Sequence, residues 1–143
     1  MNKERKETAN KGFSLVELII VVAIMAVLVG ILAPQYIKYV EKSRVSADKS
    51  MTDEFVKAMQ VLASDVDVTL DTSKEYKVTS AADATAIVID ADLTTLLGNS
   101  GSVDTSKSYT YKSSAFKAAD ITISLKYNTT TKVWNVSTKN VPN

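Results

Sequence analysis

The sequence contains no cysteine and no histidine among its 143 residues. Without cysteine there can be no disulfide bond, no zinc–thiolate site and no thiol nucleophile, and without histidine the commonest general base and metal ligand is missing. Only four glycines are present, and they form no glycine-rich phosphate loop. These absences exclude most familiar catalytic sites, so the sequence predicts neither an enzyme nor a bound cofactor.

The charges are nearly balanced, with 17 Lys and Arg against 16 Asp and Glu and a formal net charge of +1. A chain without a strong excess of positive charge gives no reason to expect nucleic acid as a required partner. The length is sufficient for one globular domain.

The most distinctive segment is an apolar run from Phe13 to Ala33, interrupted only by Ser14 and Glu17. As a helix it would span roughly 31 Å, close to the hydrocarbon thickness of a bilayer. The preceding stretch, MNKERKETANKG, is net basic, which favours a cytoplasmic N-terminus. The sequence therefore predicts a membrane-spanning helix with the rest of the chain outside the cytoplasm.

A secretory signal peptide has the same order of a basic and an apolar segment, but it ends in a small-residue cleavage site. Here a cut after Ala33 would be followed by Pro34, a poor residue for such a site. The apolar run is therefore expected to stay with the mature protein. A plain signal-anchor helix, with Glu17 in the headgroup region, remains the alternative.

The stretch KGFSLVELIIVVAIMAVL resembles the N-terminal processing motif of type IV pilins and of the pseudopilins of type II secretion systems. The resemblance implies that a prepilin peptidase cuts between Gly12 and Phe13 and then methylates the new N-terminus at Phe13. Glu17 would be the glutamate at the fifth position of the mature chain.

Glu17 is an isolated carboxylate in an apolar segment, where a charge costs about 2.5 to 3.5 kcal/mol at a helix centre on insertion scales. Cleavage before Phe13 would supply a partner, an α-amino group with a pKa of about 8. The resemblance implies that Glu17 of an incoming subunit neutralises the amine of a neighbour during filament assembly. Pairing within one chain, between residues one helical turn apart, stays open.

Gly30 and Pro34 are expected to weaken the helix between them, because proline lacks the N–H that would bond to the carbonyl of Gly30. The resemblance implies local extension upstream of this proline in a filament, although many relatives have an earlier glycine where this chain has Ala26. A mild kink at the membrane exit is the alternative.

Beyond Pro34 the pattern predicts an amphipathic continuation of the same helix, giving one helix of about fifty residues from Ser14 to near Ser64. Its polar faces would carry residues such as Glu41, and Arg44 interrupts the apolar face. The predicted apolar positions are Ile37, Val40, Ala47, Met51, Phe55, Ala58, Leu62 and Val66.

The C-terminal half is rich in Ser, Thr and β-branched residues, which predicts strands. The stretches DITISLKY and VWNVST predict an antiparallel hairpin with Trp134 and Val136 on one face, and YKVT and YTYK are weaker strand candidates. DADLTTLLGNSG predicts a short helix capped by Asp90 or Asp92 and stopped by Gly98.

The expected fold is α+β, a long N-terminal helix packed on a small antiparallel β-sheet head. Its first half would span the membrane and its second half would be amphipathic. The expected divisions are a prepilin leader at 1–12, a transmembrane and assembly helix at 13–34, the amphipathic helix of the head at 35–66 and the β-rich head at 67–143.

The stretch DVDVTLD places Asp65, Asp67 and Asp71 at alternating positions, like the start of a calcium loop. Leu70 occupies the position of the glycine that an EF-hand loop needs, and Tyr76 occupies that of its bidentate glutamate. We therefore interpret the three carboxylates as weak metal candidates and expect solvated acidic side chains at a helix end.

The sequence as a whole favours a non-enzymatic pilin of a type IV pilus or pilus-like filament, with polar loops around 99–108 and 128–132 outermost. The expected partners are further copies of the chain in a helical filament, the prepilin peptidase and methyltransferase, an inner-membrane assembly platform, and membrane lipid before assembly. The expected location is the cytoplasmic membrane as a single-pass protein, then the cell surface. A pseudopilin or minor pilin of a secretion or DNA-uptake system, and a membrane-anchored enzyme, are the alternatives.

Overall fold

The computed structural model describes residues 12–80, 86–100 and 103–142, so all of the expected leader except Gly12 lies outside the described residues. The chain divides into two compact units, the first ending at Tyr39 and the second running from Val40 to Asn143. The elements are α1 (Leu15–Ser64), β1 (Glu75–Ser80), β2 (Val88–Ile89), α2 (Ala91–Ser100), α3 (Ser114–Lys117), β3 (Ile121–Asn128) and β4 (Val133–Lys139).

The prediction of one helix of about fifty residues is confirmed, since α1 contains 50 residues and continues through Pro34. Its most apolar 18-residue window has a mean hydropathy of 3.1, and none of that window is buried within the chain. By length and composition α1 could cross a membrane. The long N-terminal helix and the small antiparallel sheet together confirm the α+β class.

The strands of the second unit form one antiparallel sheet in the order β2-β1-β3-β4. The predicted hairpin is confirmed as β3 and β4, whose register pairs Tyr127 with Trp134 and Leu125 with Val136. The weaker candidate YKVT is confirmed as part of β1. Alternation along the strands turns apolar side chains to one face of the sheet, as their burial shows.

The other weak strand candidate, YTYK, was wrong, because residues 109–112 form an irregular segment. Its alternating aromatic residues have a different cause. Tyr111 is buried and packs against Phe116 with ring centroids 5.1 Å apart, while the ring of Tyr109 meets that of Phe55 edge to face. The carbonyl of Tyr109 accepts a hydrogen bond from the N–H of Ile87. The alternation of tyrosines with polar residues therefore reflects side-chain packing in a loop and not a strand.

The main core of the head lies between α1, α2 and one face of the sheet. Burying these side chains removes them from water at roughly 25 cal/mol per Å² of apolar surface, which is what holds the helix on the sheet. The fully buried members are Phe55, Met59, Leu62, Val78, Leu93, Leu97, Ile123 and Leu125.

The predicted apolar face of α1 is confirmed for Phe55, Ala58 and Leu62, which are buried, but Ile37, Ala47 and Val66 are exposed. Val66 follows the end of the helix, so the helical spacing no longer applies to it. Two polar residues, Asp48 and Thr52, are instead buried on this helix.

The short helix predicted before Gly98 is confirmed as α2, and its cap is Asp90, whose carboxylate accepts the N–H of Asp92 at 3.0 Å. The prediction that Gly98 stops the helix was wrong, because α2 continues to Ser100. A Cβ on Gly98 would lie 3.2 Å from the hydroxyl oxygen of Thr105. The close approach of the loop that contains Thr105 therefore explains why residue 98 is a glycine.

Candidate functional site

The residues that carry the processing motif lie directly before α1. Gly12, Phe13 and Ser14 have no regular secondary structure, and the Phe13 side chain is 91% exposed. The predicted cleavage bond between Gly12 and Phe13 is therefore in exposed, extended or irregular backbone, the form in which a peptidase can bind a chain.

Glu17 lies in the first turn of α1 and its Oε2 accepts a hydrogen bond from the backbone N–H of Ser14 at 2.9 Å. This is the contact that the glutamate makes in a capping box, where Ser and Glu are separated by three positions. The helix N-terminus also carries partial positive charge, which favours a carboxylate there. The stretch SLVE contains this capping-box signal, although only Phe13 and neighbouring chains were predicted as partners for Glu17.

The described part of the first unit presents an apolar surface with no covering layer. Every large apolar side chain from Leu15 to Leu32 is at least 48% exposed, the least exposed being Val21. A contiguous apolar surface of this extent marks a site for lipid or protein.

Two tyrosines follow this apolar surface on α1. Tyr36 and Tyr39 are 69% and 72% exposed, and Lys38 and Lys42 lie on the same stretch of helix. Tyrosine rings favour the boundary between hydrocarbon and water, and lysine side chains near a helix end extend towards the headgroups. The residues after Pro34 therefore have a composition typical of a membrane–water interface.

Gly30 and Pro34, the predicted weak points, lie in continuous helix. A Cβ added to Gly30 would meet nothing within 4 Å, so no contact inside the described chain requires glycine there. Pro34 still leaves the Gly30 carbonyl without its helical donor. Local extension between them stays a prediction.

The three acidic residues considered as metal ligands form turns. Asp65 accepts the N–H of Asp67 at 3.0 Å, while Asp71 accepts the N–H and hydroxyl of Ser73 at 2.9 and 2.6 Å. The hydroxyl and then the N–H of Ser73 lower the pKa of the Asp71 carboxyl. Within the described ranges no three or more acidic side chains gather as a metal site.

A buried carboxylate on α1, which was not predicted from the sequence, bonds this helix to residues 112 and 113. Asp48, 2% exposed, accepts the N–H of Lys112 with both oxygens at 3.0 Å. Its Oδ2 also accepts the N–H and hydroxyl of Ser113 at 2.7 and 2.6 Å. These donors satisfy the charge without a cation.

Glu41 repeats this arrangement two turns earlier on α1, accepting the N–H and hydroxyl of Ser114. The hydroxyl and then the N–H of Ser114 lower the pKa of Glu41. We call these contacts, from Glu41 and Asp48 to residues 112–114, the carboxylate clamp. The seven-residue spacing of the two carboxylates on one helix face was the signal available in the sequence.

Comparisons with known proteins agree on the N-terminal segment. The family model described as a prokaryotic N-terminal methylation motif matches residues 8–33. Two relatives named type IV major fimbrial protein FimA, from Dichelobacter nodosus, are 41% identical over 59 residues and 43% identical over 54 residues. The matches cover 41% and 38% of this chain and 38% and 35% of the relatives. No solved structure matches the chain significantly.

The matched segment includes Gly12, Phe13 and Glu17, the residues on which the resemblance to type IV pilins was based. The resemblance is therefore confirmed for the segment that carries the methylation motif. The chain spans less than two fifths of the length of the curated relatives it matches.

Proposed function

We propose that the protein is a structural subunit of a type IV pilus or a pilus-like filament, with no catalytic role of its own. The observation that carries the proposal is the methylation motif on a helix whose large apolar side chains from Leu15 to Leu32 are all exposed. While the subunit is in the membrane, lipid would cover this surface. In a filament, the helices of other copies would cover it. The similarity to type IV fimbrial proteins supports the second environment.

The proposed precursor has a leader at 1–12 and is inserted in the cytoplasmic membrane by the helix at 13–34. Prepilin peptidase cuts after Gly12 and methylates Phe13. An assembly platform in the membrane then transfers the subunit into a surface filament, where the amphipathic helix at 35–66 and the β-rich head at 67–143 form the outer part. The exposed backbone at Gly12 and Phe13 supports access by the peptidase.

Glu17 is the proposed assembly residue, and in the uncleaved chain it already has a hydrogen-bond partner that it would have to exchange during assembly. The carboxylate there accepts the N–H of Ser14 at 2.9 Å. Cleavage exposes a positively charged amine at Phe13, a stronger attraction than a neutral amide. Glu17 would exchange its contact with Ser14 for one with the amine of a neighbouring subunit, which fixes the axial offset between the two helices.

Intact-mass analysis of protein sheared from the cell surface tests this function. The expected species begins at Phe13 and carries one added methyl group. Gly12→Val should leave a membrane-bound precursor and no filament, because the bulky side chain obstructs cleavage. Gly30→Ala is the matched control, since a Cβ at Gly30 meets nothing within 4 Å. Surface protein that begins at Met1, or is cut after Ala33, would contradict the proposal, and processed protein without surface filaments would indicate a pseudopilin.

A further inference from the structure

The head carries a surface pocket lined by cations, which the proposed function so far does not use. Its volume is about 360 Å³, and its lining residues are Arg44, Thr110, Tyr111, Lys112 and Lys117. Three of these five carry a positive charge, and Thr110 supplies a hydroxyl group, whereas the Tyr111 hydroxyl is bonded to that of Thr52. The described lining contains no carboxylate. The pocket therefore favours an anionic group with oxygen acceptors.

One carboxylate lies beside the pocket, but its hydrogen-bonding capacity is already in use. Glu41 is 3.7 Å from the guanidinium of Arg44 and accepts two hydrogen bonds from Ser114. The buried Asp48 is likewise occupied by Lys112 and Ser113 backbone and hydroxyl donors. The side chains of Lys112 and Lys117 thus face a site whose charge these two carboxylates only partly offset.

Negative charge gathers at the opposite end of the same helical segment. Asp65 and Asp67 follow the last turn of α1 and are exposed. Arg44 and Asp65 are 21 positions apart, which corresponds to about 31 Å along a helix. Lys57 lines the surface beside Asp65, so Asp67, which lies further along the chain, is the more available of the two. The basic pocket and these two exposed carboxylates therefore lie at different ends of this helical segment.

We propose that the pocket of Arg44, Lys112 and Lys117 binds the Asp65–Asp67 turn of a second copy of this chain. The contact joins two different surfaces, and repeated heterologous contacts of this kind generate an open helical array. The inference rests on the proposed filament and adds a specific contact between heads to the bundling of apolar helices. Charge complementarity favours a second copy as the partner, since the basic pocket and the acidic turn belong to the same molecule.

Crosslinking gives a direct test, because the chain has no native cysteine. Full-length subunits with Lys117→Cys and Asp67→Cys are assembled into filaments and treated with a short bis-maleimide, since a disulfide requires closer Cα atoms than a Lys–Asp pair provides. The expected result is a ladder of covalent oligomers on denaturing gels. The control pair is Lys139→Cys with Asp67→Cys, which should give no ladder because Lys139 lies on β4 outside the pocket.

Charge reversal supplies an independent measurement. Lys117→Asp or Asp67→Lys alone should lower filament yield by about threefold, the size typical of one exposed charge pair, and the double variant should restore it. Lys139→Asp is the control for added negative charge. Near-ultraviolet circular dichroism checks that each variant keeps its head structure.

Failure of this inference is distinguishable from failure of the proposed function. Wild-type filaments without the specific ladder, or a double variant that stays as impaired as the single ones, would overturn the docking contact and leave the filament intact. Loss of binding to anionic vesicles in Lys117→Asp, with filament yield unchanged, would assign the pocket to lipid headgroups and also overturn it. A processed wild-type chain that never forms filaments would instead overturn the proposed function.

Discussion

Asp48→Ala should destabilise the head strongly, because it leaves buried donors without an acceptor. The Asp48 carboxylate accepts hydrogen bonds from the N–H of Lys112 and from the N–H and hydroxyl of Ser113, which is 0% exposed. Each buried group left without a partner costs about 1 to 3 kcal/mol. With the Ser113 N–H and part of the Lys112 N–H unsatisfied, we expect a loss of about 2 to 4 kcal/mol.

Asp48→Asn separates the contribution of the carboxylate to stability from that of side-chain shape, because asparagine has nearly the same shape. The amide keeps one acceptor oxygen but turns two donors towards N–H groups, so we expect a loss of about 1 to 3 kcal/mol, smaller than for alanine. Asp53→Ala, at an exposed position on the same helix, should change stability by less than about 0.5 kcal/mol. The measurement is denaturant unfolding of the full chain in detergent, followed by the fluorescence of Trp134. If Asp48→Ala unfolds within about 0.5 kcal/mol of the wild type, the clamp contributes no net stability and the reasoning fails.

Three further predictions concern Glu17, Glu41 and Lys132. Glu17→Val should abolish most filament yield while membrane insertion and unfolding of the head stay unchanged; wild-type yield in cells that make no other pilin would remove Glu17 from assembly. The pKa of Glu41 is lowered from 4.5 by Ser114, so its stabilising contribution is present above pH 4.5 and is lost as the pH falls through the lowered folded-state pKa. Glu41→Gln should flatten that acid dependence in pH-dependent unfolding, whereas an unchanged slope would assign it to other carboxylates. Lys132 has a φ of 55°, so Lys132→Gly should stabilise the β3–β4 hairpin by about 0.5 kcal/mol in thermal unfolding, and a lower midpoint would contradict this.

The elements that follow simple periodicity were predictable. The continuous helix from Leu15 was anticipated because an apolar run is followed, beyond Pro34, by apolar residues at a spacing of about 3.6. The β3–β4 hairpin was anticipated because apolar residues alternate along its strands. β2 has two residues and α3 has four, which is too short for a periodic signal. Their positions depend on the rest of the fold, since β2 pairs with β1 and α3 begins beside the carboxylate clamp.

The processing residues and the clamp differ in how sequence encodes them. Gly12, Phe13 and Glu17 lie in one local motif, so a short stretch was sufficient to propose roles for them. Asp48 functions through residues 64 and 65 positions away, and its seven-residue spacing from Glu41 does not show which residues it contacts. The same difficulty applies to YTYK, where the alternating tyrosines belong to a loop and pack against Phe55 and Phe116.

The carboxylate clamp also determines how the head would respond to reducing conditions. A contact between Asp48 and Lys112 closes a loop of 64 positions, the kind of long-range closure for which exported domains often use a disulfide. Here the bond is made of hydrogen bonds to carboxylates, and the chain has no thiol to oxidise. The head can therefore reach its final structure without an oxidase or a disulfide isomerase, and thiol reductants that dissolve disulfide-closed domains should leave it intact. Acid acts instead on the Glu41 contact, because Ser114 lowers the pKa of that carboxyl in the folded chain.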